Sequence, residues 1–167
     1  MTSMERIQDF LGRKRLAFVG ISRQPADFSR TLFREFLARG YQAVPVNPEA
    51  QEIDGQPCFA HLQDIQPAVE GVVFLTSPAV TNQLVQDCAA AGIQRVWMFR
   101  GVGQGAATPD TIRLCEANGI SVIPGECPFM FLPGGAWFHR FHGFVRKITG
   151  AYPRWRRESS GLTRSHK

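Results

Sequence analysis

The feature that most constrains the fold is a strand–turn–helix–strand unit in residues 16–47. A short apolar run ends at Gly20, and a polar turn follows it. A helical pattern then closes at Gly40, before a second apolar run that ends at Asn47. A unit of about thirty residues in this order is typical of parallel sheets that bind nucleotide phosphates at a helix N-terminus.

Two details of this unit argue against the commonest ligand of such folds, a nicotinamide dinucleotide. The turn reads Gly20-Ile21-Ser22 and lacks the G-x-G-x-x-G spacing. The second apolar run ends in the amide Asn47, whereas an NAD-binding domain usually has Asp or Glu there for the ribose. The unit therefore predicts a nucleotide ligand and disfavours NAD, which remains an alternative.

Short apolar runs alternate with helical patterns along the rest of the chain. The apolar runs predict strands over 16–19, 42–46, 71–75, 95–99 and 120–123. Caps and spacing predict helices over 27–39, 78–91, 108–118 and 136–148. Between 49 and 67 we predict only an edge strand near 57–59 and a turn of helix over 61–65. The fold class is α/β: a single doubly wound, mainly parallel five-stranded Rossmann-like sheet, with an extra C-terminal helix and a basic tail.

Length and composition bound the domain count. A chain of 167 residues that is 44% hydrophobic can bury one core. It has no apolar run of eighteen residues and no secretory h-region, so we expect no membrane insertion. Four scattered cysteines without a C-x-x-C pair favour reduced thiols and a cytoplasmic location. The predicted segments are 1–13 (N-terminal segment), 14–128 (ligand-binding domain), 129–152 (helical extension) and 153–167 (disordered basic tail).

The net charge of +5 is unevenly distributed. Residues 1–139 contain 11 Lys and Arg against 13 Asp and Glu, whereas residues 140–167 contain 8 against 1. The basic character therefore belongs to the tail. No clear aromatic stacking signature accompanies it, so a solvated tail is favoured over a dedicated nucleic-acid or membrane arm.

Ligands of doubly wound sheets bind beyond the carboxyl ends of the strands, so the loops there hold the candidate contacts. In the first loop, Gly20 allows a close backbone approach and Ser22 and Ser29 offer hydroxyls. Arg23 and Arg30 offer guanidinium groups. Together with free amides at the helix N-terminus, these residues predict an anion site. The alternative is that each residue serves only a turn, a cap or a solvated surface.

The other strand ends are more ambiguous. Thr76 or Ser77 can cap the following helix, with or without a ligand contact. Cys127 lies near the expected cleft, and His139 and His142 share one face of the last predicted helix. No oxyanion donor or family signature supports a Cys–His pair, and no third metal ligand is evident. We therefore predict no catalytic residue and no metal site.

Six segments together resemble a known family. They are Val19-Gly20-Ile21-Ser22, Gly40-Tyr41, Val44-Pro45-Val46-Asn47-Pro48, the third strand end from Phe74 to Pro78, Trp97-Met98-Phe99-Arg100-Gly101-Val102, and Glu126-Cys127. The chain resembles, over residues 14–128, the stand-alone CoA-binding proteins of bacteria and archaea. Their single Rossmann-like domain is similar to the N-terminal domain of the succinyl-CoA synthetase α subunit.

The resemblance implies coenzyme A, or an acyl-CoA, held by its 3′-phospho-ADP end against the first loop. The candidate ligand contacts are Gly20, Ile21, Ser22, Arg23, Ser29, Arg30, Asn47, Pro48, Thr76, Ser77, Pro78, Arg100, Gly101, Glu126 and Cys127. A non-catalytic module, sensor or subunit is favoured, and a protein partner or a homo-oligomer remains open. The alternatives are an NAD(P)-binding oxidoreductase domain and an interaction protein that uses its basic tail.

Overall fold

The computed structural model describes residues 3–99 and 105–132 and contains a parallel sheet of five strands in the order β2-β1-β5-β6-β7. The elements are α1 (Ser3–Leu11), β1 (Arg15–Val19), α2 (Phe28–Ala38), β2 (Gln42–Val46), β3 (Glu52–Ile53), β4 (Gln56–Pro57), β5 (Gly71–Phe74), α3 (Pro78–Ala90), β6 (Arg95–Met98), α4 (Pro109–Ala117) and β7 (Ser121–Pro124). The doubly wound α/β fold class is thus confirmed, and every strand pair in this sheet is parallel.

Helices cover both faces of the sheet, which is why its strands are continuous apolar runs. On one face, Phe18 of β1 and Trp97 of β6 pack in a cluster with α1 and α2 residues such as Phe33. On the other face, Val72 of β5 packs in a cluster with α3 and α4 residues such as Val85. All four residues of β5 are buried, because this strand lies at the centre of the sheet.

The predicted element bounds agree closely with the structure. The bounds of β2 are as predicted. β1, β5 and β6 each differ from the prediction by one residue at one end, and β7 is shifted by one residue toward the C-terminus. Thr108, predicted as the start of the third helix, is the N-cap of α4 in a capping box with Thr111. The predicted edge strand near 57–59 is a short β3–β4 hairpin, followed by a parallel bridge from Phe59 to Val46. The helix predicted over 136–148 and the basic tail lie outside the described residues.

Helix α1 was not predicted, because its sequence is largely polar and charged and contains only a few apolar residues. Its Ile7 and Phe10 are fully buried. The Phe10 ring packs edge-on against Trp97 with ring centroids 5.4 Å apart. A Cβ on Gly71 would come within 2.9 Å of the Phe10 ring, so β5 needs a glycine where α1 crosses it. The N-terminal residues thus complete one face of the core.

Gly20, at the end of β1, permits the close approach of two strand ends. Its φ is +83°, in the left-handed region. A Cβ built on it would lie 2.5 Å from Thr76 Cγ2 and 3.2 Å from the backbone at Leu75 and Thr76. The loop after β1 and the loop after β5 are therefore in contact, and only glycine fits between them.

A buried ion pair ties α2 to the β3–β4 hairpin. Arg30 Nε and Nη2 donate to Asp54 Oδ2 and Oδ1 at 2.9 and 2.6 Å. Arg30 Nη1 donates to the carbonyls of Ser22 and Arg23 at 3.3 and 3.2 Å. The hydrogen-bonded Arg30 guanidinium lowers the pKa of the Asp54 carboxyl from its ordinary value of 3.8 to about 2. Arg30 thus fixes the position of the loop that follows β1.

Substitution of Gly20 tests the contact between the two loops, with Gly40 as a matched control. Both glycines have positive φ, but nothing lies within 4 Å of a Cβ on Gly40. Gly40→Ala should lower the free energy of unfolding by about 1–2 kcal/mol, the strain of a left-handed residue. Gly20→Ala should lower the free energy of unfolding by about 1–3 kcal/mol more than Gly40→Ala does, because Thr76 must move. Urea denaturation measures both losses, and equal losses would contradict the contact.

The Arg30–Asp54 pair predicts a specific acid sensitivity. Since its pKa is lowered on folding, Asp54 stabilises the fold above about pH 4, and this contribution is lost as the pH falls to about 2. Asp54→Asn, which tolerates the φ of 49° at this position, should reduce the drop in unfolding free energy between pH 5 and pH 2 by about 2 kcal/mol. Asp110→Asn, which breaks an exposed ion pair with Arg113, is the control and should leave that drop nearly unchanged.

Candidate functional site

Two adjoining pockets lie at the carboxyl edge of the sheet, where strand order reverses. The chain leaves β1 toward β2 on one side and β5 lies on the other, so the ends of these strands enclose a crevice. The loop pocket, of about 590 Å³, is lined by Gly20, Ile21, Ser22, Arg23, Gln24, Pro25 and Asn47. The α3 pocket, of about 300 Å³, is lined mainly by the ends of β1 and β2, the segment 60–62 and α3. Gly20 and Asn47 line both pockets.

Two of the predicted contact residues, Ser29 and Asn47, hold the loop pocket in shape through side-chain hydrogen bonds. Ser29 Oγ accepts from the Ser22 amide at 3.0 Å and donates to Asp27 Oδ1 at 2.5 Å. Asn47 Nδ2 donates to the Ile21 carbonyl at 2.8 Å, and its Oδ1 accepts from the Glu49 amide at 2.8 Å. Ser29 is buried and lines neither pocket, whereas Asn47 stands between the two. These two side chains hold the loop in place.

The expectation of an open helix N-terminus is wrong, because Asp27 caps α2. The Asp27 carboxylate accepts from the Ser29 amide at 2.7 Å. Its carbonyl accepts from the Arg30 and Thr31 amides at 3.1 and 3.3 Å. Asp27 thus satisfies these three amides, and its carboxylate adds a negative charge where an anion was expected. These three amides are therefore not free to bind an anion.

Donors for an anion remain in the loop itself. Within residues 3–99 and 105–132, the Arg23 backbone N–H has no hydrogen-bond partner. Ser22 Oγ accepts from the Gln24 amide at 3.1 Å, which leaves its own proton available to donate. Both Ser22 and Arg23 line the loop pocket. The loop can thus bind an anion without the helix.

The two arginines predicted for the site differ in availability. The Arg30 side chain is only 8% exposed and is bound to Asp54 and to loop carbonyls. The Arg23 side chain is 63% exposed, and its Nη2 lies 2.9 Å from Glu49 Oε2, itself 67% exposed. Exposed ion pairs contribute little free energy, so Arg23 can exchange Glu49 for a phosphate. Arg30 supports the loop, and Arg23 is the cation that faces the pocket.

The α3 pocket has both apolar and polar residues in its lining. Its apolar lining comes from Val19, Val46, Leu62, Val80 and Leu84. Further lining comes from Pro48, Ala60, His61, Thr76, Gln83 and Asp87. The pocket suits a flat, largely apolar ring with hydrogen-bonding groups at its edge.

Sequence reasoning missed the α3 side of this pocket. Val80, Gln83, Leu84 and Asp87 follow a helical i, i+3, i+4, i+7 spacing that begins next to Pro78. Because α3 starts at the carboxyl edge, this spacing was the available signal that one stripe of the helix faces the cleft.

The structure separates the roles of Thr76, Ser77 and Pro78. The Thr76 hydroxyl lies 2.7 Å from Thr81 Oγ1, which donates to the Ser77 carbonyl at 2.9 Å. Ser77 is the N-cap of α3, but its side chain makes no capping hydrogen bond, contrary to the expectation that a cap accounts for its hydroxyl. Pro78 occupies the first helical position, as predicted. Of the three, only Thr76 lines either pocket of the crevice.

Of the remaining candidates, Glu126 and Cys127 line neither of the two pockets. The Glu126 carbonyl accepts from Trp97 Nε1 at 2.8 Å. Glu126 also lines a separate pocket of about 210 Å³ with α1 residues including Arg6. Cys127 precedes a short 3₁₀ turn over Pro128–Met130 and lines neither pocket of the crevice. Arg100 and Gly101 lie outside the described residues.

The cysteines are all free thiols. Burial raises the pKa of Cys88 and of Cys115 to about 12, and burial also raises the pKa of Cys58. These three thiols are therefore poor nucleophiles at neutral pH. In the described part of the chain, no group of three His, Cys, Asp or Glu side chains could hold a metal ion. No helix there is both long and apolar enough to cross a membrane.

Known proteins similar to this chain share the domain that carries the crevice. An uncharacterized protein of Bacillus subtilis, YneT, is 28% identical over 130 residues, which are 75% of this chain and 90% of YneT. A conserved hypothetical protein from Pyrococcus furiosus has 29% identity and a TM-score of 0.62, covering 68% of this chain and 95% of its own.

A larger enzyme shares only the fold. The dinucleotide-forming acetyl-coenzyme A synthetase 1 of Ca. Korarchaeum cryptofilum matches with a TM-score of 0.57 at 22% identity. The match covers 65% of this chain and 25% of that enzyme chain. The CoA-binding domain family matches residues 14–133, which include both pockets and all five strands of the sheet. This chain therefore belongs to the CoA-binding domain family.

Proposed function

We propose that this protein binds coenzyme A or an acyl-CoA in the crevice, with phosphates in the loop pocket and adenine in the α3 pocket. The observation that carries the proposal is the junction of a polar and an apolar pocket at Gly20 and Asn47, where strand order reverses. Membership of the CoA-binding domain family supports the choice of ligand.

The loop pocket has the chemistry that phosphates need. The Arg23 amide and the Ser22 hydroxyl supply uncharged donors, and the Arg23 guanidinium supplies a mobile positive charge. Gly20 lets the loop after β1 close against Thr76, because no Cβ projects between them. The neutral amide of Asn47 borders the pocket without the repulsion that a carboxylate would exert on a phosphate.

The α3 pocket supports the placement of the adenine. In this fold class the nucleoside lies toward the end of the second strand, on the β2 side of the phosphates. The α3 pocket begins there, at Val46, Asn47 and Pro48. Val80 is 47% exposed on the opposite wall, and contact with a ring would remove its apolar surface from water.

The proposed role is that of a non-catalytic module, a sensor or a subunit. The hydroxyl at the centre of the crevice, on Thr76, is bonded to Thr81. The side chains of Ser29 and Asn47 are similarly engaged in holding the loop. These contacts favour a rigid binding surface over an activated nucleophile.

A thermal-shift comparison of CoA with NAD tests the ligand. At 100 times its Kd, CoA should stabilise the protein by about 2.7 kcal/mol, or about 5–10 °C for a chain of this size. NAD at the same concentration should shift the melting temperature less, because the turn lacks the dinucleotide spacing. An equal or larger shift with NAD, or none with CoA, would contradict the proposal.

Paired charge substitutions test the position of the phosphates. Arg23→Gln removes the mobile cation and should weaken CoA binding about tenfold. Glu49→Gln removes the competing carboxylate and should strengthen it several-fold, because Arg23 is then released to the phosphates. Isothermal titration calorimetry at low and high salt measures both effects, which should shrink as salt screens the charges.

Glu52→Gln is the matched control for this pair. Glu52 is an exposed carboxylate on β3 and lines neither pocket, so its loss should change the CoA affinity little. If all three variants bind CoA with the wild-type affinity, the phosphates lie elsewhere.

A further inference from the structure

Three phenylalanines form an aromatic cluster at the same edge of the sheet as the crevice. The Phe28 ring stacks on Phe99 with centroids 5.0 Å apart and an interplanar angle of 16°. Phe129 meets Phe28 edge-on at 5.6 Å. Phe129 is buried and Phe99 is half-buried, whereas Phe28 is 37% exposed. We call these three residues the aromatic patch.

The patch is assembled from three carboxyl-edge positions. Phe28 is the first residue of α2, immediately after the capping residue of the β1 loop. Phe99 directly follows β6, and Phe129 lies in the 3₁₀ turn after β7. Among the large apolar side chains in residues 3–99 and 105–132, only Phe28 and Val80 are classed as exposed. One lies in the patch and the other lines the α3 pocket.

The order of the strands indicates in which direction a long ligand bound in the crevice would extend along the sheet. Adenine in the α3 pocket and phosphates in the loop pocket place the nucleotide over β2, β1 and β5. β2 is an edge strand, so no strand lies beyond it. The rest of a long ligand can therefore lie along the carboxyl edge of the sheet only toward β6 and β7. Phe99 and Phe129 follow those strands, so the patch lies on the side that the distal end of the ligand would reach.

We propose that the aromatic patch binds the acyl group of an acyl-CoA, so that the protein prefers apolar acyl-CoA over free CoA. The inference rests on the proposed function, since it takes the nucleotide position from it. An apolar acyl chain against Phe28 removes exposed aromatic surface from water, which free CoA with its terminal thiol does less well.

The chemistry of the patch favours an acyl chain over the nucleobase. One face of Phe28 is already covered by Phe99, and Phe129 packs against Phe28 at an interplanar angle of 66°, so no slot for a sandwiched base is present among the three rings. The α3 pocket provides instead an apolar surface with polar groups beside it, which a base requires. A flexible apolar chain needs only a partly exposed aromatic surface.

Calorimetry with three ligands on the full chain tests the inference. The ligands are adenosine 3′,5′-bisphosphate, CoA and hexanoyl-CoA. Hexanoyl-CoA should bind the wild-type protein about tenfold more tightly than CoA, because several methylene groups are removed from water. Adenosine 3′,5′-bisphosphate should bind more weakly than CoA, since it lacks the pantetheine arm and one phosphate of the diphosphate.

Phe28→Ala should remove the preference for hexanoyl-CoA and leave the affinity for adenosine 3′,5′-bisphosphate within about twofold of wild type. Thr31→Ala, at an exposed position one turn further along α2, is the matched control and should keep the preference. Phe28→Leu retains an apolar side chain and should therefore keep part of the preference for hexanoyl-CoA. Circular dichroism and the bisphosphate affinity together report whether each variant is folded.

Four results would overturn the inference. Equal affinity of the wild-type protein for CoA and hexanoyl-CoA would show that no acyl site exists, while leaving the proposed function intact. A preference for hexanoyl-CoA that survives Phe28→Ala would place the acyl group elsewhere. Equal weakening of all three ligands by Phe28→Ala would place the nucleotide on the patch. Failure of the wild-type protein to bind CoA at all would overturn the proposed function and this inference with it.

Discussion

The crevice depends on the contact between Gly20 and the loop after β5. Because a left-handed glycine ends β1, the backbone there approaches Thr76 closely enough that no side chain fits between them. Hydrogen bonds fix the same region, from the Gly20 amide to the Val46 carbonyl and from the Leu75 amide to the Val19 carbonyl. The ends of β2, β1 and β5 are thereby held together, and the two pockets are formed on either side of this junction.

Arg30 and Arg23 have different roles: Arg30 supports the loop after β1, and Arg23 is available for the proposed phosphate contact. A buried guanidinium must be paired, and Arg30 is paired with Asp54 while it also binds two carbonyls of the loop. Arg23 lies in the same loop but is exposed, and its partner Glu49 is exposed too. The loop is therefore held by a strong, desolvated interaction, and the proposed phosphate contact comes from a weak one that can be exchanged.

The sequence predicted the sheet well and α1 not at all, for one physical reason. Buried parallel strands are continuous apolar runs, and their helices carry caps, so each signal is local. The burial of Ile7 and Phe10 depends instead on a surface made by distant strands, where Phe10 meets Trp97. Two buried residues in a nine-residue helix give too weak a periodic signal to show this contact in advance.

The sequence by itself determined the α/β fold class, the edge of the sheet where the two pockets lie, and the loop from Gly20 to Arg23, because apolar periodicity and glycine position are local properties. Only the tertiary structure decided which residues are free to act there. It paired Arg30 with Asp54 and brought one stripe of α3 to the cleft. Such pairings join residues far apart in the chain, and their energies depend on burial, which no local pattern contains.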